Sequence, residues 1–175
     1  AMGKSTTASG SRSTAMGGDS TASGDFSVAM GRGTTASGNN STAMGSGTTA
    51  SGNNSSAMGY YTTASGHKTT AMGANTTASD YASLVIGQFN SSGSSVTNNA
   101  TSFSTSNTAF VIGNGADSSN RSDAFKVMFN GDTTVSNDLT VSGDVVISSD
   151  ARLKSNIVSL GSTLPKLLQI DGKSY

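Results

Sequence analysis

The chain has no cysteine and no tryptophan, a single proline, and charged residues at only 11% of its 175 positions. Each shortage excludes something. Without cysteine there is neither a disulfide framework nor a thiol nucleophile. Ten basic and ten acidic residues give a formal net charge of zero. No basic run is present, which argues against nucleic acid and anionic membranes as partners. No apolar stretch is long enough to span a bilayer, so no membrane insertion is expected, and no signal peptide is visible. Apolar residues reach 33%, and many are Ala, too small to build a large globular core. Low charge with low hydrophobicity would suit a disordered linker. The periodicity of the chain argues against that.

Gly returns every seven residues from Gly3 to Gly73, and Ala every seven from Ala1 to Ala78. Met returns only every fourteen, at Met2, Met16, Met30, Met44, Met58 and Met72, and Ser fills the alternate slot from Ser9 to Ser79. The unit is therefore fourteen residues in two similar halves, the signature of a solenoid. Each half predicts a five-residue strand followed by a Gly-led turn. Side chains alternate faces along a strand. The Ala slot and the Ser/Thr slot at Ser13, Ser20, Ser27, Thr34 and Ser41 share one face, so the interior is thin. Gly serves either positive φ or close backbone approach.

The opposite face carries Thr14 and Met16, Val28 and Met30, Thr42 and Met44 on one side of the coil. On the other it carries Thr7 and Ser9, Thr21 and Ser23, Thr35 and Ser37. A Met ladder in water is an extended apolar stripe that needs a partner. A subunit interface is the expected use; an internal Met core is the alternative.

The units Ser13-Thr14-Ala15-Met16-Gly17 and Ser27-Val28-Ala29-Met30-Gly31, with their copies to Thr70-Ala71-Met72-Gly73, closely resemble the head repeats of trimeric autotransporter adhesins of the YadA type. The resemblance implies an all-β, left-handed parallel β-roll of 14-residue coils, assembled as a homotrimer on a bacterial cell surface or a phage tail fibre. It covers nearly half of the chain. Ala1-Met2-Gly3 is already in register, so the chain is expected to begin mid-roll.

The expected organisation is a head β-roll over 1–87, an insert with a terminal coil or neck over 88–123, a trimeric β-stalk over 124–148, and a small helical segment over 149–175. Asp80 interrupts the Gly slot, but Leu84-Val85-Ile86-Gly87 returns to phase, and Ala109-Phe110-Val111-Ile112-Gly113 repeats it. Ala124 to Phe129 reads as a strand, with Asn130-Gly131 as a hairpin turn. Val135, Leu139, Val141, Val145 and Ile147 then recur at six-residue spacing within two rows. Three copies around an axis would bury them together; a β-meander is the alternative. Leu153, Ile157 and Leu160 share one helical face, capped by Ser149 or Asp150.

Ser149-Asp150-Ala151-Arg152-Leu153-Lys154-Ser155-Asn156-Ile157 resembles the opening of the self-cleaving intramolecular chaperone domain of endosialidases and other tail fibres. That resemblance implies cleavage before Ser149, with Ser149 as nucleophile and Lys154 as general base in a full-length parent. A neutral amine there requires a dry setting. The segment matches only the start of that domain, so a capping Ser149 and a solvated Lys154 are expected in this form.

The variable turn pairs are the candidate binding loops, because solenoids place recognition on their turns. Phe26, Tyr60, Tyr61, His67 and Lys68 stand out; plain turn decoration is the alternative. Asp117 and Asp123 match no calcium loop, His67 is the only His, and no cofactor or metal motif is present. The leading function is a structural and adhesive fibre segment that meets a host protein, matrix or glycan. An ice-binding solenoid using the Thr/Ser ladders is the rival reading, and a fibre with a self-cleaving chaperone is the third.

Overall fold

The computed structural model describes residues 1–91 and 99–144. Ala1–Leu139 form one unit. Of the other, Thr140–Tyr175, only residues 140–144 are described, an exposed stretch without a strand. The described residues contain strands and turns but no helix.

Each coil contributes two unequal strands, where the sequence predicts two similar ones. The long strands are β1 (Met2–Lys4), β3 (Thr14–Gly18), β5 (Val28–Arg32), β7 (Thr42–Ser46), β9 (Ser56–Tyr60), β11 (Thr70–Ala74) and β13 (Leu84–Gln88). The short strands are β2 (Thr7–Ala8), β4 (Thr21–Ala22), β6 (Thr35–Ala36), β8 (Thr49–Ala50), β10 (Thr63–Ala64) and β12 (Thr77–Ala78). Each set stacks into a parallel sheet in unbroken register, so Ala15 pairs with Ala29 and Ala29 with Ala43. The result is an all-β solenoid of 14-residue coils.

The interior is as thin as the sequence requires. From Ala15 to Ala78 every Ala slot is fully buried, and so is every Ser/Thr slot from Ser20 to Thr76. Polar groups buried there need partners, and only some have one: the hydroxyls of Ser41, Thr48, Ser55 and Thr62 make no hydrogen bond. Ser27 Oγ donates to the Gly24 carbonyl at 2.6 Å, and Thr69 Oγ1 to Gly66 at 2.7 Å.

Glycine serves two purposes. On the Met side the strand runs through the Gly, as at Gly45, whose φ is 126°. A Cβ there would be driven into the carbonyl oxygen of Gly59 in the next coil. On the Ser side, Gly38 is not left-handed, yet a Cβ would still strike the Gly52 carbonyl. The Gly-led turn expected on the Met side is thus displaced. The left-handed turn residue comes two places later, at Asp19, Gly33, Gly47, Tyr61 and Asn75, with φ between 49° and 64°.

The other turns follow the same rule, at Arg12, Phe26, Asn40, Asn54 and Lys68. The backbone ladder continues through them: Tyr61 N–H donates to the Ser46 carbonyl, and Asn54 N–H to Asn39, both at 2.8 Å. One turn row is further tied by side chains. Asp25 Oδ1 accepts from the Ser11 amide, Asn39 Oδ1 from Asp25, and Asn53 Oδ1 from Asn39, at 2.8 to 3.1 Å. These turn residues, read from the sequence as variable loops, thus take part in holding the coils together.

After β13 the two sheets part company. The short sheet stops at β12. Asn90 occupies its next buried Ser/Thr slot, and its side chain pairs with Thr77, accepting from the amide at 2.7 Å and donating to the carbonyl at 3.1 Å. The long sheet continues. β14 (Thr108–Asn114) adds in parallel to β13, as the repeated Ala109-to-Gly113 motif predicts. β15 (Asp123–Met128) and β16 (Thr133–Val135) then add antiparallel, with Gly131 at φ 93° in the hairpin turn. Asp80, buried in its Gly slot, accepts the Thr108 amide at 2.6 Å and so holds the start of β14. Within the insert, Asn107 is buried and donates to the Asn99 carbonyl at 2.9 Å.

Candidate interaction surfaces

The roll presents two faces and two turn edges. On the outer face of the long sheet, Met2, Met16, Met30, Met44, Met58 and Met72 stack directly on one another. They lie outside the core, which excludes the internal Met reading. Met2 and Met44 are exposed and the other four half-buried. The row does not end with the repeats. The register Ala71↔Val85 and Ala74↔Gln88 brings Ile86 in line after Met72, and Ile112 pairs with Ile86, Phe125 with Ile112, and Val135 with Phe125. Phe110 stands beside this row in edge contact with Phe125, ring centroids 6.0 Å apart. Sequence reading named Val135 and left out Ile86, although it falls fourteen residues after Met72; it missed Ile112, Phe110 and Phe125 because the insert hides their register.

Leu139 and Val141 are exposed and belong to no strand. Val145, Ile147, Ser149, Lys154 and the predicted helix lie outside the described residues.

The outer face of the short sheet is different in kind. Thr7, Thr21, Thr35, Thr49, Thr63 and Thr77 stack in register. Ser9, Ser23, Ser37, Ser51 and Ser65 follow two residues on, exposed. Neighbouring coils in such a sheet repeat at about 4.8 Å. Neither row contains a charge.

The candidate loop residues separate onto opposite edges. Tyr60 ends the long strand β9 with Tyr61 directly after it, and Phe26, His67 and Lys68 follow short strands, so they do not form one site. Arg12 lies over the Phe26 ring at 5.2 Å. Lys68 Nζ donates to the Tyr81 hydroxyl at 2.6 Å and sits 5.0 Å from that ring's centre. The His67 amide donates to the Ala100 carbonyl at 2.7 Å, which pins this turn beneath the insert.

Asp117 and Asp123 do not converge either. Asp117 accepts the side-chain amide of Asn120 and the backbone amides of Ser119 and Asn120. These bonds, the Asn120 side chain foremost, favour the charged form and hold its pKa below the usual carboxylate value. Asp123 Oδ1 accepts the Ser91 amide at 2.7 Å. Among the described residues no three His, Cys, Asp or Glu side chains gather into a metal site. Beneath the hairpin a cavity of about 330 Å³ is lined in part by Arg121, Asp123 and Lys126. Arg121 reaches it from a fixed position, donating to the carbonyls of Asn75 at 3.1 Å and Asn90 at 3.3 Å.

The coil geometry and the alternation of Met and Ser faces agree with a sequence comparison. The model of the YadA head domain repeat matches residues 1–20, 8–34, 36–62 and 64–90, together about half of the chain. The chain belongs to the YadA head repeat family. The match ends just past β13, where the short sheet stops. The YadA head repeats therefore coincide with the two-sheeted part of the molecule, and the hairpin beyond them is outside the match. No curated protein matches the chain.

Proposed function

We propose that this YadA-type head segment is one strand of a homotrimeric, extracellular fibre, on a bacterial surface or a phage tail. In this reading the fibre presents its turn edges to a host protein, matrix or glycan. The observation that carries it is the continuous apolar row on the outside of the long sheet, from Met2 through Ile112 to Val135. Ten stacked apolar side chains on one outer face form the kind of stripe that marks an interface. A threefold axis along the row would cover it in every coil at once. The antiparallel β15 and β16, which open the stalk expected over 124–148, would carry the same contact on.

The test is oligomer mass by light scattering, on the parent and on a quadruple Met16→Asp, Met30→Asp, Met44→Asp, Met58→Asp variant. The parent should be trimeric and the variant monomeric or aggregated, because buried unpaired carboxylates are costly. Folded trimers of the variant would overturn the reading.

A second reading, ice binding, is favoured by the charge-free Thr and Ser rows of the short sheet and their regular repeat. Thermal hysteresis of the purified chain tests it, and its absence sets that reading aside. The proposed self-cleavage at Ser149, with Lys154 as base, rests on the sequence motif alone. Intact-mass spectrometry with a Ser149→Ala control tests it; this form is expected to stay uncut.

A further inference from the structure

Aromatic residues are only 6% of the chain, yet two sit side by side on one turn. Tyr60 and Tyr61 pack edge to face, centroids 4.6 Å apart, and each is 54% exposed. Tyr61 occupies the left-handed slot, with φ 49°, where the coils on either side place Gly47 and Asn75. A bulky side chain is a poor choice for that conformation. The preceding coil makes room for it. A Cβ at Gly47 would come within 2.8 Å of the Tyr61 ring, so the ring is laid against the one residue of that turn pair that has no side chain. The flanking turns, Ser46-Gly47 and Ala74-Asn75, are uncharged.

These features make a small shelf, one ring supported on backbone and a second standing against it, with two phenol hydroxyls beside them. We propose that the Tyr60–Tyr61 shelf binds a neutral saccharide. The apolar C–H face of a pyranose stacks on an aromatic ring, and phenol and backbone groups meet its hydroxyls. Tyrosine supplies such contact at low entropic cost, having few rotatable bonds. Neither flanking turn pair supplies a charged side chain, and the Arg121 guanidinium that reaches the Asn75 carbonyl is engaged there and at Asn90. One shelf holds one or two sugar rings, so a single site is weak, and several copies on one particle bind by avidity. This inference deepens the adhesive reading and rests on it.

The experiment is saturation-transfer NMR on the intact chain, irradiating tyrosine ring protons. The probes are cellohexaose, chitohexaose and maltohexaose, with a heparin hexasaccharide as charged control. At least one neutral probe should receive saturation at its ring C–H protons, and the heparin probe should not. The double variant Tyr60→Ser, Tyr61→Asn keeps a residue suited to the left-handed slot. It should bind at least about tenfold more weakly, while Asp132→Asn, exposed in the turn between β15 and β16, binds as the parent does. Circular dichroism verifies the fold of each variant; should the double variant unfold, Tyr60→Ser alone replaces it. No transfer to any neutral probe, or undiminished transfer in the folded Tyr variant, overturns the inference. Light scattering on the same samples reads the assembly separately: a trimer that ignores all three sugars removes the shelf and leaves the fibre reading standing.

Discussion

The roll before Gln88 and the cap after it are held by opposite means. In the roll each coil is completed by a copy of itself. Ala stacks on Ala, Gly on Gly, and each turn amide meets the carbonyl of an equivalent turn. In the cap, side chains used once take over. Asn90 stands in for a missing short strand, Asp80 catches the start of β14, and Arg121 reaches back 46 residues to the Asn75 carbonyl. A parallel sheet that ends leaves unpaired backbone groups, and the cap satisfies them with amide and carboxylate groups. Repetition solves the same bonding problem at every level of the roll, but it cannot solve it at the end.

This contrast predicts how damage spreads. Gly45→Ala should have the largest effect, because it adds a strained φ and a backbone collision together. A loss of more than about 3 kcal/mol is expected in chemical denaturation. Near-parental stability would mean that the coils can part locally. Ala43→Leu overfills the thin interior and should cost about 1 to 3 kcal/mol. Ala29→Leu and Ala57→Leu should cost about the same, since each Ala is likewise stacked between two others. Melting temperatures that differ widely among these three would break the equivalence of the coils.

The cap should show no such equivalence. Asn90→Leu leaves the Thr77 amide and carbonyl unpaired and should cost about 1 to 2 kcal/mol. Hydrogen exchange should quicken at β12 and β10 while β2 and β4 keep their protection. Uniform loosening along the roll would show that the end is not held separately.

The smallest effect is expected at Asp117. Its pKa is depressed in the folded chain, so its contribution is present above the ordinary carboxylate value of 3.8 and is lost as pH falls through the lower folded value. The group is fully exposed, so only the local loop should respond. Amide exchange at Ser119 and Asn120 should rise in acid, with the melting temperature of the roll unchanged. Exchange that is indifferent to acid would remove the carboxylate from the loop's support.

What the sequence disclosed follows the same division. The fourteen-residue period fixes the coil, the Ala interior, the outward Met row and the return to phase at Leu84, because each depends on a recurring residue. The left-handed turn slot was also within reach: Gly33, Asn40, Gly47, Asn54 and Asn75 occupy it, and Gly and Asn are the residues that favour that conformation. It was hidden by Arg12, Phe26, Tyr61 and Lys68, which take the slot in spite of their size. The unequal strand lengths were not legible, since both halves of the unit have nearly the same composition. Nor were the roles of Asn90, Asn107 and Arg121, each a single polar residue whose partner is chosen by tertiary approach. The continuation of the apolar row through Ile112 and Phe125 was half visible. The motif at Ala109 predicts another coil, but only the register across the insert aligns it with Met72.

The fixed register of the long sheet also bears on how such a gene can lengthen. Every paired position in the roll from β1 to β11 is separated by fourteen residues. Duplicating or deleting fourteen codons inserts or removes one complete coil, changing the length by about 4.8 Å and leaving every face where it was. A slip of seven codons is nearly invisible in composition, since the two halves are so alike. It would nonetheless bring the methionines of all later coils round to the hydroxyl side and cut the apolar row in two. Replication errors in this stretch are thus filtered by parity: whole coils pass as neutral changes of reach, and half coils arrive as broken rolls.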